Sequence, residues 1–351
     1  MILYGLTFVL SFLLAFYLTP IMREAALRFG IVDKPDGKLK KQREPVPYLG
    51  GLAIYLGFLG AIAFVYDFDR QVLGLLLSGT IMVLLGLIDD FGFLSPRIKL
   101  AGQLIAVWVL IKSGIYIKLI FLPKYHDVPV FAYALTALWL VGMTNAFNII
   151  DVMDGLAATV AGMAALVLFG VALWNHHLTI AVLTLALAGS LLGFLRYNRP
   201  PARIYMGDTG SLFIGLMLGS LAMIGSYTKY NGLAYLAPIL ILGVPIFDTF
   251  LVMFIRFWRG KPIMYGSPDH FALRLKMKGW SVPAIVITSG ATTLILGAAA
   301  FWMMLMKSEI DAMILSGLFG LVGLAVAIWV GRVKVQYPEG EKEKNQQEAG
   351  G

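Results

Sequence analysis

The chain has no cysteine, only four histidines and few charges: 14% of its 351 residues are Asp, Glu, Lys or Arg. Without cysteine, disulfides and thiolate-ligated metal centres are excluded. A soluble domain carries about a quarter charged residues to cover its surface, so this chain cannot be wetted on all sides. What it has instead is apolar sequence, 59% hydrophobic residues with a mean hydropathy of +0.81. Lipid is therefore its main solvent. No basic residue precedes the first apolar stretch and no small-x-small cleavage site follows it, so residues 1–22 read as a retained span. The polar, Glu- and Lys-rich stretch 336–351 reads as a disordered cytoplasmic tail.

A spanning helix needs ~20 mainly apolar residues. Eleven stretches qualify: 2–22, 47–66, 71–88, 98–113, 129–147, 156–174, 177–195, 209–226, 233–255, 282–305 and 310–331. The fold class is thus all-α and polytopic, with residues 1–335 forming one transmembrane catalytic domain. Basic residues set the orientation. The loops 23–46, 89–99, 145–156, 196–208 and 256–281 and the residues after the last stretch, 332–351, hold 22 of the 28 Lys and Arg residues. Arg70, Lys112, Lys118, Lys124, Lys229 and Lys307 fall on the other side. This places the first side in the cytoplasm, with the N-terminus outside and the C-terminus inside. The same partition explains the net charge of +8 through basic loops facing anionic lipid, without nucleic acid.

The acids gather on that cytoplasmic side too: Asp89, Asp90, Asp151, Asp154, Asp208, Asp248 and Asp269. An ionised carboxylate near apolar sequence is costly unless paired or metal-bound. Asp89-Asp90 ends the third span, where adjacent carboxylates repel unless a cation is near, so one can handle a proton while the other organises a cation or substrate. Asn145, Asn148, Asp151 and Asp154 recur every three residues, which keeps them on one helical face. Asn supplies donors and an acceptor, as a nucleobase or sugar requires. Asp208, in Met206-Gly-Asp-Thr-Gly-Ser211, stands where a helix begins; it can cap that helix or hold a Mg²⁺ that bridges a phosphate. Asp248 lies inside the ninth apolar stretch and needs a partner. His270, beside Asp269, is a candidate phosphate contact or proton carrier. Lys38, Lys40, Lys41 and Arg43 precede Pro45-Val-Pro47-Tyr-Leu-Gly50-Gly51 and suit a phosphorylated substrate or lipid headgroups.

In this order the motifs resemble the polyprenyl-phosphate N-acetylhexosamine-1-phosphate transferases. That family includes the GlcNAc-1-phosphate transferases of cell-envelope glycans and phospho-MurNAc-pentapeptide translocase. The resemblance runs from about Asp33 to Ser281 and is carried by residues 45–51, Asp89-Asp90, Asn145 to Gly155, Met206 to Ser211 and Pro245 to Asp248. It implies transfer of N-acetylhexosamine 1-phosphate from a UDP-sugar to polyprenyl phosphate at the cytoplasmic face of the plasma membrane, with release of UMP. It makes Asp208 the ligand of Mg²⁺, for which Mn²⁺ can substitute. Asn145, Asn148, Asp151, Asp154 and Asn198 would bind the nucleotide or shape its pocket, with Lys40 and Arg274 as phosphate contacts. Asp89, Asp90 and His270 would be catalytic, and a homodimer is compatible with the family. Where the family carries clustered histidines in its late loop, this chain keeps His270 alone, with Ala272 and Leu273 in the other two positions. Eleven spans favour the GlcNAc-1-phosphate branch, whereas Lys278-Gly-Trp-Ser281 is similar to the translocase. The rival class, a cation-coupled secondary transporter, would place its acids near the bilayer midplane and show paired halves; here they collect at one face.

Overall fold

A computed structural model of the protein describes residues 2–33, 45–65, 69–118, 129–260, 268–333 and 335. Lys40, most of the first basic loop and the 336–351 tail lie outside the described residues. The chain forms α1 (Ile2–Phe29), a two-residue antiparallel pairing of β1 (Val32–Asp33) with β2 (Val46–Pro47), α2 (Gly50–Val65), α3 (Arg70–Asp90) and α4 (Pro96–Lys112). These are followed by α5 (Pro129–Ile150), α6 (Leu156–Trp174), α7 (Leu178–Asn198) and α8 (Gly207–Ile224). After a 3₁₀ turn at Gly232–Leu236 come α9 (Ala237–Ile241), α10 (Gly243–Trp258), α11 (Phe271–Met277), α12 (Val282–Leu305) and α13 (Glu309–Gly331).

Local sequence sets several helix starts. Asp69 accepts the Val72 N–H at 2.8 Å, and Ser95, Ser281 and Ser308 serve the same role for α4, α12 and α13. Each satisfies an orphan donor of a first turn. Pro96 and Pro283 occupy the first helical turns, where a missing N–H costs nothing.

Every predicted apolar stretch contains helix, but the count of eleven spans is not reproduced. Among the described residues, eight helices are long and apolar enough to cross a membrane, or nine if the bent pair is one span. That pair is Gly232–Ile241 with Gly243–Trp258, bent by 76°. Pro245 lies in its second arm and lacks the N–H needed to continue a straight helix from α9. Helix α2 has only 16 residues. Helix α4 has 17 and opens on Arg97 and Lys99, so its first turn belongs to the polar site.

Burial distinguishes protein-facing from lipid-facing helices. In the most apolar window of each, 83% of α8 and 78% of α7 is buried inside the protein, against 22% of α1 and 6% of α13. Helix α8 packs on α3 and α5, while α7 packs on α1 and α6. Close approach requires small residues. Gly86 of α3 lies against the backbone of Asp208 and Thr209, with no room for a Cβ. Gly86→Ala is therefore expected to cost about 1–3 kcal/mol through overpacking, read as a lower melting midpoint in detergent. Gly142→Ala, inside α5 where the space is open, should not lower the midpoint, since alanine favours the helix.

Candidate active site

The site forms where α3 ends and α8 begins. The residue before α8, Met206, offers no side-chain cap, so the first-turn N–H groups need acceptors from elsewhere. Asp90 supplies them across 118 and 119 residues of chain: Oδ1 accepts the Asp208 N–H at 2.7 Å, and Oδ2 accepts the Thr209 N–H at 3.1 Å and its hydroxyl at 2.6 Å. Gly207 takes φ +67°, and a Cβ there would come 2.6 Å from Asp90 Oδ2. Glycine is required on both counts. Asp90 thus clamps a helix end, with both carboxylate oxygens engaged.

With its backbone held, Asp208 presents its carboxylate to Lys99 and Asn148. Lys99 Nζ donates to Asp208 Oδ2 at 2.5 Å, pairs with Asp89 Oδ2 at 2.7 Å and reaches Asn148 Oδ1 at 3.4 Å. Asn148 Nδ2 donates to Asp208 Oδ1 at 2.7 Å and to Ser211 Oγ at 3.0 Å. Asn145 makes paired amide bonds with Gln103, at 3.0 and 3.3 Å. Neither Lys99 nor Gln103 was among the expected site residues. The available signal was a lysine at the head of an apolar helix, since such a charge is functional by default.

Two loops flank this array. Asp154 Oδ2 accepts the Ala202 N–H at 2.9 Å. Asn198, buried, accepts the Gly155 N–H at 3.0 Å and donates to the Ile204 carbonyl at 2.9 Å. Both side chains lace the 151–155 turn to the 199–206 loop. Asp151 follows the end of α5 and has no side-chain hydrogen bond among the described residues. Burial, then the carboxylates of Asp208, Asp90 and Asp154, push it up to about 8. The 45–51 motif closes the site: the Tyr205 N–H bonds to the Pro47 carbonyl, and the Gly50 and Gly51 N–H groups bond to the carbonyls of Tyr205 and Met206. Tyr48 donates to Asp33 at 2.7 Å and its ring lies 6.2 Å from that of Tyr205. Burial and the carboxylates of Asp154, Asp33 and Asp151 push the Tyr205 hydroxyl up to about 12.

His270 belongs to a second cluster. Its Nδ1 lies 2.8 Å from Oδ2 of fully buried Asp248, whose Oδ1 accepts the Phe271 N–H at 2.8 Å. Asp248 thus has the partner its burial demands. Arg274 does not stand where a phosphate contact would. It is fully buried, bonded to Asp269 Oδ1 at 2.5 Å and to the carbonyls of Gly331 and Val333 at 3.1 and 2.8 Å. A guanidinium has five donors suited to such a cluster of acceptors, and here they hold the end of α13.

The chain is thus a polytopic helical membrane protein in which acids, amides and one lysine converge at a helix junction. Comparison with known proteins narrows its class. Residues 72–226 match glycosyl transferase family 4. A probable undecaprenyl-phosphate N-acetylglucosaminyl 1-phosphate transferase of Bacillus subtilis is 34% identical, over 85% of this chain and 86% of the relative. A decaprenyl-phosphate N-acetylglucosaminephosphotransferase of Mycolicibacterium smegmatis is 31% identical over 77% and 74%. A phospho-N-acetylmuramoyl-pentapeptide-transferase of Halalkalibacterium halodurans is 33% identical over 85% and 96%. The chain belongs to glycosyl transferase family 4.

Two outcomes check this geometry. The native state keeps the Asp151 proton where the unfolded chain, with a value near 3.8, has lost it. Stability in metal-free buffer should therefore fall as pH rises from about 4 to about 8, and Asp151→Asn should flatten that slope in melting curves. Arg274→Met removes the buried guanidinium that pairs with Asp269 and bonds the carbonyls of Gly331 and Val333, leaving Arg259 at 3.5 Å from Asp269, at a cost of up to about 3–5 kcal/mol. Proteolysis at the end of α13 should accelerate accordingly.

Proposed function

We propose that the protein transfers an N-acetylhexosamine 1-phosphate, GlcNAc 1-phosphate in the first instance, from its UDP-sugar to undecaprenyl or another polyprenyl phosphate. An acceptor phosphate oxygen forms a bond to the sugar-bearing phosphorus, the bond to UMP breaks, and a polyprenyl-diphosphate-sugar remains in the membrane. The observation that carries this reading is the Asp89–Lys99–Asp208–Asn148 array, assembled from the motifs that resemble the transferases. The activities named for the relatives support it. The excess of basic residues on the same side supports a cytoplasmic active site in the plasma membrane.

Phosphoryl transfer between two anions needs charge neutralisation and alignment more than covalent help. Lys99 provides a fixed ammonium for phosphate oxygens. Asp89, paired to it, is placed to take or direct a proton of the acceptor phosphate. Asp90, which was expected to act on the acceptor, contributes by fixing the backbone of Asp208. Asn148 holds the Asp208 carboxylate in orientation. His270, its tautomer set by Asp248, is the second candidate for a phosphate contact.

Among the described residues no three His, Cys, Asp or Glu side chains form a metal cage. Mg²⁺ does not need one, because it binds through one or two carboxylates while keeping waters and substrate phosphates. Asp208 and the unpartnered Asp151 carboxylate fit that requirement, with Asp208 the preferred ligand. Bound there, Mg²⁺ or Mn²⁺ would offset the diphosphate charge and ease departure of UMP.

The test is UMP release by purified protein given UDP-GlcNAc, UDP-GalNAc or UDP-MurNAc-pentapeptide, undecaprenyl phosphate and Mg²⁺. Release with UDP-GlcNAc is expected, and no release with any donor sinks the proposal. Preference for the muramoyl donor would instead favour the second reading, supported by the muramoyl-pentapeptide relative and by Lys278-Gly-Trp-Ser281. Asp208→Asn and Lys99→Met should each lower turnover at least ~100-fold, the scale of one lost electrostatic contact in a transition state. Mg²⁺ should raise the melting midpoint of the wild type and leave that of Asp208→Asn unmoved.

A further inference from the structure

The helices that bring carboxylates together at one end of the bundle enclose a cavity at the other. Gln71 starts α3, Gly114 follows α4, Trp174 ends α6, His177 precedes α7 and Ile224 ends α8, and all line a space of about 1350 Å³. That exceeds the ~300–1,000 Å³ usual for small-molecule sites. The cavity lies away from the array that holds Asp208, and nothing in the proposed transferase chemistry uses it.

Its lining is divided. On one part are Lys118 and Lys229, both exposed, and no acidic residue is among the described lining residues. On another are apolar side chains left uncovered by protein: Leu135 is 36% exposed, Ile239 43% and Trp174 50%. Between them the polar rim is fixed, with Asn175 Nδ2 donating to the Ser226 carbonyl at 2.5 Å and His177 Nε2 2.9 Å from Ser226 Oγ. The two lysines stand out for a simple reason. Only six of 28 basic residues fall on this side of the sequence, and two of the six line one cavity. A bias against positive charge on this face does not place them together, whereas a shared anion does.

We infer that this cavity binds an anionic phospholipid of the adjoining leaflet, its phosphate attracted by Lys118 and Lys229 and its acyl chains laid over Leu135, Trp174 and Ile239. Charge complementarity selects the headgroup, because ammonium groups are compact donors to phosphate oxygens. Exposed apolar walls at a membrane–water boundary select a lipid over a soluble anion, and Trp174 and Tyr235 are residue types that favour that boundary. One lipid there would bridge the segment after α4 to the α6–α7 turn and the segment after α8, which the Asn175 and His177 bonds to Ser226 already join.

The experiment uses the full chain purified in a neutral detergent. Short-chain phosphatidylglycerol, phosphatidylcholine of the same chain length and inorganic phosphate are titrated in turn, and adducts by native mass spectrometry and melting midpoints are read. Phosphatidylglycerol should form one tight adduct and raise the midpoint, with little effect from phosphatidylcholine. In the double variant Lys118→Gln/Lys229→Gln its affinity should fall about 30-fold, at roughly fivefold per lysine. Raising the salt concentration tenfold should weaken it in the wild type, a readout that needs no variant. Asp208→Asn should bind the lipid normally. Equal binding of both lipids, indifference to the lysines or to salt, or inorganic phosphate reproducing the lipid's effect would each overturn the inference.

Discussion

Much of the site depends on one carboxylate whose work is done on backbone. Asp90 takes two N–H groups and a hydroxyl from the first turn of α8, and so fixes the angle and height at which that helix meets α3. Helix α8 is the most buried of the candidate spans, with α3, α5 and α2 packed around it. A cap normally comes from the residue before the helix; here it comes from another helix, so a local need is met by a tertiary contact. The cost of leaving those donors bare in a low-dielectric interior makes the junction specific.

From that fixed point the chemistry follows by short steps. Asp208 has its backbone held through its own N–H, and its carboxylate is held by Lys99 and Asn148. Lys99 then draws in Asp89, so two adjacent acids on one helix have separate duties, one holding a backbone and one meeting a cation. The paired amides of Gln103 and Asn145 and the loop laced by Asp154 and Asn198 extend the same network towards Tyr205. Polar groups in such a network are strong when all are satisfied. Asp151 is the carboxyl group among them without a side-chain hydrogen bond among the described residues, and it keeps its proton in place of a partner.

The helical stretches and the grouping of acids at one end were legible in the sequence, because hydropathy and charge partition are summed over many residues. The motif order was legible as well, and the structure joins Pro47, Gly50 and Gly51 to Tyr205 and Met206 by backbone hydrogen bonds. The division of labour was not. Lys99 meets Asp208 across 109 residues, and in sequence it reads as one more basic residue on the side rich in them. Arg274 reads as a free basic loop residue for the same reason, although its side chain bonds Asp269 and the carbonyls of Gly331 and Val333 at the end of α13 and just after it. Asn198 and Asp90 look like ligand-binding groups because amides and carboxylates serve backbone and substrate equally well. Span number fell short where apolar length and a polar task compete, at α4, and where a proline-bearing segment bends.

The bonds of Arg274 also set an order of events during synthesis. Its acceptors at Gly331 and Val333 follow it by 57 and 59 residues, beyond two further long helices. While the ribosome is still making that stretch, the segment that carries His270 is held by Asp248, by the Arg259–Asp269 pair and by the packing of Phe271 on Phe247. Helix α13 buries little of itself in the protein, yet its last carbonyls complete the seat of Arg274. The His270 cluster is therefore finished only once α13 has been made, and a chain released before that point would lack this support even with every acid around Asp208 already in place.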